Sequence, residues 1–182
     1  MGSKNWATPR PLGRYICIDP GEDTGFSLLE VDGPNTPVRM LRTASLKYNA
    51  LAIHQLLCRF YYHGMNDMMP SEVAGINTVI LEKFVHRPGR PFNATAYKVM
   101  GICETWHQRF RDNGDPSFEY IERVPVQGKK EAPNDVLRRL GVYLSGHDNR
   151  HINDATRHGV SWLIENRHRG TALVAKPKEE ND

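Results

Sequence analysis

Apolar runs and polar breaks alternate along the first part of the chain in lengths typical of short β-strands. The apolar run 15–18 stops at Asp19-Pro20-Gly21, which predicts a buried strand closed by a turn. Two further strands are predicted over 25–31 and 38–41, with Asp32-Gly33-Pro34-Asn35 as the break between them. The chain is therefore expected to open with a three-stranded antiparallel meander.

Downstream of residue 47, helical and strand-like patterns alternate. The predicted elements are a helix over 48–63, a strand over 79–81, a helix over 94–111 capped by Asn93, a strand over 118–124, and helices over 133–144 and 152–166. Lys129 and Lys130 are expected in the loop that follows the strand 118–124. The order βββ–α–β–α–β–α–α predicts an α/β fold with a five-stranded mixed sheet, the meander plus parallel strands, flanked by helices.

The 182 residues suit one domain, which we expect to span 14–168. The Pro- and Gly-containing segment 1–13 is expected to be a flexible arm, and the polar end 169–182 a disordered tail. No apolar run reaches the roughly 20 residues of a membrane span, and the start lacks a signal-peptide core, so a cytoplasmic protein is expected. Cys17, Cys58 and Cys103 form no CxxC pair and are expected to be buried, reduced thiols.

The net charge of +3 is compatible with a nucleic-acid partner but does not require one. Two stretches, 83–111 and 129–139, contain clusters of basic residues. Solvated helix faces would produce the same clusters, so the charge pattern leaves both interpretations open.

Acidic residues follow two of the predicted strands directly. Asp19 follows the run 16–18, and Glu82 follows 79–81. If these strands are adjacent and parallel, both side chains lie at the same edge of the sheet, where open α/β sheets commonly place their sites. A third acid, Asp154, lies in the last helix on one face with His151 and His158.

Converging acids of this kind suit metal-dependent hydrolysis of a phosphodiester. Two divalent ions about 4 Å apart stabilise the extra charge on the phosphate and generate a nucleophile from water. Each acid also has an ordinary interpretation: Asp19 as a turn former, Glu82 as an exposed strand end, and Asp154 with His151 as surface residues of a helix.

Five segments together resemble, in order, the motifs of the RuvC family of Holliday-junction resolvases, which belong to the RNase H-like nuclease superfamily. They are Ile18-Asp19-Pro20-Gly21 with Thr24-Gly25, Leu81-Glu82-Lys83-Phe84, the helix start from Asn93 to Gly101, Phe118-Glu119-Tyr120, and His151-Ile152-Asn153-Asp154-Ala155. The resemblance covers about 15–163 and implies an RNase H-like fold.

The resemblance also implies an activity and its residues. The chain would resolve four-way junctions by symmetric nicking, as a homodimer, with Asp19, Glu82, His151 and Asp154 binding two Mg2+ ions for which Mn2+ can substitute. Lys129 or Lys130 would take the place of the family's catalytic lysine. The residues expected to contact DNA are Lys83, Phe84, His86, Arg87, Arg90, Lys129 and Lys130.

Two other functions remain open at this point. A nuclease of the same fold could cut flaps, replication forks or RNA–DNA hybrids, and a non-catalytic protein could bind branched DNA. Divergence from cellular members outside the motifs favours a bacteriophage origin over a bacterial one. An actin-like ATPase also has an Asp-x-Gly after its first strand, but it needs two such domains and this chain is too short for them.

Overall fold

The computed structural model describes residues 13–33, 35–66, 76–86, 88–89, 92–113, 119–166 and 168. The described strands are β1 (Gly13–Asp19), β2 (Asp23–Val31), β3 (Arg39–Lys47), β4 (Ile76–Glu82) and β5 (Glu119–Arg123). The described helices are α1 (Ala50–Asn66), α2 (Ala94–Asp112), α3 (Pro125–Glu131), α4 (Asn134–Arg139) and α5 (Arg150–Glu165), with a 3-10 turn at His147–Asn149.

The strands form one mixed sheet in the order β3-β2-β1-β4-β5. β1 pairs antiparallel with β2, and β2 pairs antiparallel with β3, so the predicted meander is confirmed. β4 lies parallel to β1 on its other side, and β5 lies parallel to β4. The predicted α/β class and the five-stranded mixed sheet are confirmed as well.

Helices cover both faces of the sheet, and the alternation of side chains along each strand divides the core in two. Tyr15 and Cys17 of β1 face the layer formed by α3, α4 and α5. Ile16 and Ile18 face the opposite layer, formed by α1 and α2. The central strands are therefore apolar on both faces, which explains the unbroken run in the sequence.

Two local predictions were wrong. Lys129 and Lys130 lie in α3 rather than in a loop, because Pro125 begins a helix directly after β5 and has the backbone angle that a first helical residue needs. The helix predicted over 133–144 ends at Arg139. Gly141 there has φ +71°, and it stops the helix with hydrogen bonds from its own N–H to Arg138 and from Val142 to Leu137.

Several expectations concern the ends and the cysteines. The arm residues 1–12, the tail 169–182 and Phe118 lie outside the described residues, while Gly13 is the first residue of β1.

The three cysteines are free thiols, as expected, with Cys58 half-buried. Burial raises the pKa of both Cys17 and Cys103 to about 12, which keeps these thiols protonated. Within the described part of the chain, no helix combines the length and the hydropathy needed to span a bilayer.

Candidate active site

Asp19 and Glu82 meet at the edge of the sheet. Each is the last residue of its strand, and the parallel register pairs Ile18 with Leu81, so the two acids follow side by side. Their carboxyl groups are close enough for each to affect the pKa of the other. The expectation that both acids share one edge is therefore what the structure shows.

Strand alternation places both carboxyls on the face covered by α5. Asp19 is two residues beyond Cys17, and Glu82 is two residues beyond Ile80, and both of these apolar residues belong to the core under α5. A contact with α5 follows directly from this parity.

His151, near the start of α5, is held against Asp19. Its Nδ1 donates a hydrogen bond to Oδ2 of Asp19 over 2.9 Å. The helix can approach this closely because residue 25 of β2 is glycine: a Cβ there would lie 2.1 Å from the backbone oxygen of His151. Gly25 thus allows α5 to bring His151 to the sheet edge.

His158, two turns further along α5, is held against Glu82. Its Nε2 donates to Oε2 of Glu82 over 2.8 Å, and the imidazole is almost fully buried. The sequence pattern placed His158 on the face of Asp154 but assigned it no role. Helical spacing groups His158 with Asp154 on one face of α5, but it does not show which strand end that face meets.

The pKa values of the two carboxyls are displaced in opposite directions. Burial, with the nearby charge of Glu82, raises the pKa of Asp19 despite the hydrogen bond from His151. Burial would also raise the pKa of Glu82, but the hydrogen bond from His158, with contributions from Asp19 and Lys129, outweighs it, so this pKa is lowered. The hydrogen bond to Asp19 raises the pKa of His151. The pair therefore retains a proton more readily than two isolated carboxyls would.

Asp154 is engaged by an arginine that the sequence analysis missed. Nη1 of Arg157 contacts Oδ1 of Asp154, while its Nε donates to the carbonyl of Ala132 over 3.1 Å. Arg157 is buried, and burial lowers its pKa even though the charges of Asp19 and Glu82 act in the opposite direction. Arg157 therefore pairs with Asp154 and is anchored at the same time to the backbone before α4. The spacing of three residues from Asp154 on a helix was the available signal.

The chemistry of these donors fits a divalent cation. Carboxylate oxygens and a neutral imidazole suit Mg2+ and Mn2+, and a divalent cation held by Asp19 and Glu82 would offset the repulsion between their carboxylates. Within the described residues, no three His, Cys, Asp or Glu side chains are already arranged around one ion position. His151 and Arg157 hydrogen-bond to the oxygens that a cation would use, so cation binding requires them to shift.

The two candidate lysines of α3 differ in their surroundings. Both are exposed, but only Lys129 contributes to the lowered pKa of Glu82. The ammonium of Lys130 lies 4.0 Å from its neighbour Glu131. Lys129 is therefore the better placed of the two to act near the carboxyl pair.

The segment after β4 carries the other predicted DNA contacts. Lys83 forms a 2.8 Å salt bridge with Glu122, and both side chains are partly exposed. The ring of Phe84 packs edge-on against Tyr97, and the ring of His86 lies against Phe92. Arg87 and Arg90 lie outside the described residues.

Comparison with known proteins shows likeness in structure rather than in sequence. No protein-family model and no curated protein matches the chain. RuvC of Thermus thermophilus, in complex with Holliday junction substrate, matches with a TM-score of 0.60 at 17% identity, over 87% of this chain and 97% of that one. A second T. thermophilus RuvC structure gives 0.59 at 15% identity, over 84% and 95%.

A eukaryotic protein extends the likeness. The yeast mitochondrial Holliday junction resolvase Ydc2 matches with a TM-score of 0.53 at 9% identity, over 92% of this chain and 83% of that one. At such identities the shared property is the fold, which here includes the mixed sheet and the helices on both of its faces. The chain has the RNase H-like fold of the RuvC resolvases.

Proposed function

We propose that this chain is a divalent-metal-dependent, structure-specific endonuclease that resolves Holliday junctions. The observation that carries the proposal is the placement of Asp19 and Glu82 side by side at the ends of two parallel strands, each held by a histidine of α5. A protein that only binds DNA gains nothing from half-buried carboxyls that would face phosphates. RuvC, which has this fold, was solved with Holliday junction substrate, and this supports the same substrate class here.

The residues divide into cation ligands and phosphate-binding groups. Asp19, Glu82, His151 and Asp154 would hold one or two Mg2+ or Mn2+ ions, which would stabilise charge on the phosphate and lower the pKa of a water. His158 keeps Glu82 oriented. Lys129, exposed beside Glu82, would stabilise the charge that develops on the phosphate.

Symmetric nicking of a junction would require two equivalent sites, which a homodimer would supply. A four-way junction has two-fold symmetry, and a C2 dimer presents two equivalent sites at a fixed separation.

Binding would depend mainly on phosphate contacts, from Lys129, Lys130 and the segment after β4, so affinity for DNA would fall steeply with salt.

The substitution Asp19→Asn tests the catalytic assignment. Cleavage of a labelled four-way junction in Mg2+ or Mn2+ should be lost, because the carboxylate at the sheet edge is removed. Junction binding in EDTA should be kept or strengthened, because Asn repels phosphate less. Asp112→Asn, at the exposed end of α2, is the matched control and should cleave like the wild type.

The same assay decides between the alternatives. Paired, symmetric nicks in the junction support resolution, whereas preferential cutting of flaps, forks or RNA–DNA hybrids would assign another nuclease activity. Binding of branched DNA without any cutting in either metal would favour a non-catalytic binder. Loss of folding in Asp19→Asn would make Asp19 a structural residue.

A further inference from the structure

A polar pocket lies beside the carboxyl pair but does not include it. It has a volume of about 390 Å3 and opens between α4, the 3-10 turn and the start of α5. The lining residues that bear on its chemistry are Asn134, Tyr143, His147, Arg150, Asp154 and Arg157. Neither Asp19 nor Glu82 lines it, so we name it the Arg150 pocket and treat it separately from the carboxyl pair.

The charge of the Arg150 pocket favours an anion. Asp154 is the only acid among its lining residues, and it is paired with the buried guanidinium of Arg157. Arg150 is exposed and forms no salt bridge with any residue that the structure describes. Its Nη2 lies 3.3 Å from Nε2 of His151, whose other ring nitrogen contacts Asp19, so the charge of Arg150 is separated from Asp19 by the imidazole ring.

An uncharged donor in the pocket points to the same ligand class. Oδ1 of Asn134 accepts a hydrogen bond from Nη2 of Arg157 over 2.5 Å, which leaves the amide nitrogen of Asn134 to donate to a ligand. The amide of Asn134 therefore adds an uncharged donor to the charge of Arg150.

We propose that the Arg150 pocket binds a phosphate of the cleaved DNA strand next to the phosphate held at Asp19 and Glu82. This inference rests on the proposed nuclease function, whose substrate it locates more closely. A phosphodiester with its sugar fits a pocket of this size. Arg150 and Asn134 supply the donors, and Arg157 offsets the charge of Asp154 that would otherwise repel the ligand. The strand is thereby held on both sides of Asp154.

Binding of a four-way junction in EDTA, where no cutting occurs, tests the pocket. Arg150→Gln should weaken binding roughly tenfold, because a charge-assisted contact is lost. It should also reduce the slope of log affinity against log salt by about 0.9, the contribution of one phosphate in B-DNA. Arg59→Gln removes the same charge from the exposed face of α1, on the other side of the sheet, and should change neither quantity. Arg150→Lys should recover part of the affinity.

Neutral methylphosphonate linkages show which phosphate is bound. The linkage on each side of the cleavage position is replaced in turn. One of the two replacements should weaken binding by the wild type, and the same replacement should leave the affinity of Arg150→Gln unchanged. If Arg150→Gln binds the junction as tightly as Arg59→Gln does, the pocket does not bind the strand. The same conclusion follows if the wild type and Arg150→Gln lose affinity equally at every neutral linkage. If the wild type cuts junctions under either of these outcomes, only the pocket is refuted. If it binds with the predicted Arg150 dependence but never cuts, only the nuclease is refuted.

Discussion

At the residue scale, the two histidines of α5 use different ring nitrogens for their carboxyls. His151 donates from Nδ1, whereas His158 donates from Nε2. Nδ1 of His158 is buried and has no hydrogen-bond partner among the described residues. The imidazole therefore keeps its proton on Nε2, where it donates to Glu82. Leaving Nδ1 as an unpaired acceptor costs less free energy than losing this hydrogen bond. His158 is therefore a positioning residue for Glu82.

Replacing His158 separates positioning from simple packing. His158→Leu should lower the affinity for Mn2+, measured by isothermal titration calorimetry without DNA, by about 10- to 100-fold, because Glu82 loses the partner that orients it. His158→Gln keeps an N–H near Glu82 and should lose less. Both variants should show a cooperative thermal transition. Equal affinities in the wild type and His158→Leu would contradict the positioning role.

At the element scale, the close approach of α5 to β2 brings the helix residues to the sheet edge. The helix packs on β1, β2 and β4 and is also covered by α3, so it is buried around most of its circumference. Asn153 fixes the segment before it by two hydrogen bonds, with the N–H and the carbonyl of Leu144. The position of His151 therefore depends on backbone packing as much as on its own side chain.

Gly25→Ala tests this dependence. The added Cβ would meet the backbone of His151 and Ile152, which cannot move without shifting α5, so the free energy of unfolding should fall by about 1–3 kcal/mol. Junction cleavage should fall as well, because His151 moves away from Asp19. Gly101→Ala is the control: a Cβ there meets nothing within 4 Å, and alanine should stabilise α2 by about 0.5–1 kcal/mol. Urea denaturation measures the unfolding free energy of both variants. Equal values for Gly25→Ala and the wild type would contradict the packing argument.

At the scale of the whole molecule, the three strands of the meander are held together by charged groups as well as by apolar packing. Glu30 of β2 is buried and accepts hydrogen bonds from Arg14 of β1 over 2.8 Å and from Arg39 of β3 over 2.5 Å. Burial would raise the pKa of Glu30, but the two arginines outweigh it and lower the pKa below its ordinary value of 4.5. A carboxyl of this kind stabilises the fold above its unfolded-state pKa, and the contribution is lost as the pH falls through the lower folded-state pKa.

Glu30→Gln should therefore destabilise the protein in a pH-dependent way. At pH 7 the variant should lose about 1–3 kcal/mol of unfolding free energy, because two charge-assisted hydrogen bonds become weaker. The difference from the wild type should shrink as the pH falls below 4.5, because the unfolded chain then binds a proton at Glu30 that the folded protein binds only at lower pH. Denaturant titrations at pH 7, 5 and 3.5 measure this, with the exposed Glu104→Gln as control. A difference that is the same at all three values would refute it.

The sequence by itself determined the sheet and the place of its two acids. Apolar runs of strand length and their polar stops are local features, so β1, β2, β4 and the positions of Asp19 and Glu82 could be predicted. The length of β3 was underestimated, because this edge strand is largely exposed and its apolar pattern is weak. The helix α3 was missed, because its seven residues carry little periodicity.

Only the tertiary structure decided which side chains meet the two acids. The contact of His158 with Glu82 and the pairing of Arg157 with Asp154 depend on how α5 is rotated over the sheet. Helical spacing shows which residues share a face of α5, but not which strand ends that face meets. Its orientation is set by where backbones can approach, at Gly25 above all, and that is a property of packed elements rather than of any one segment.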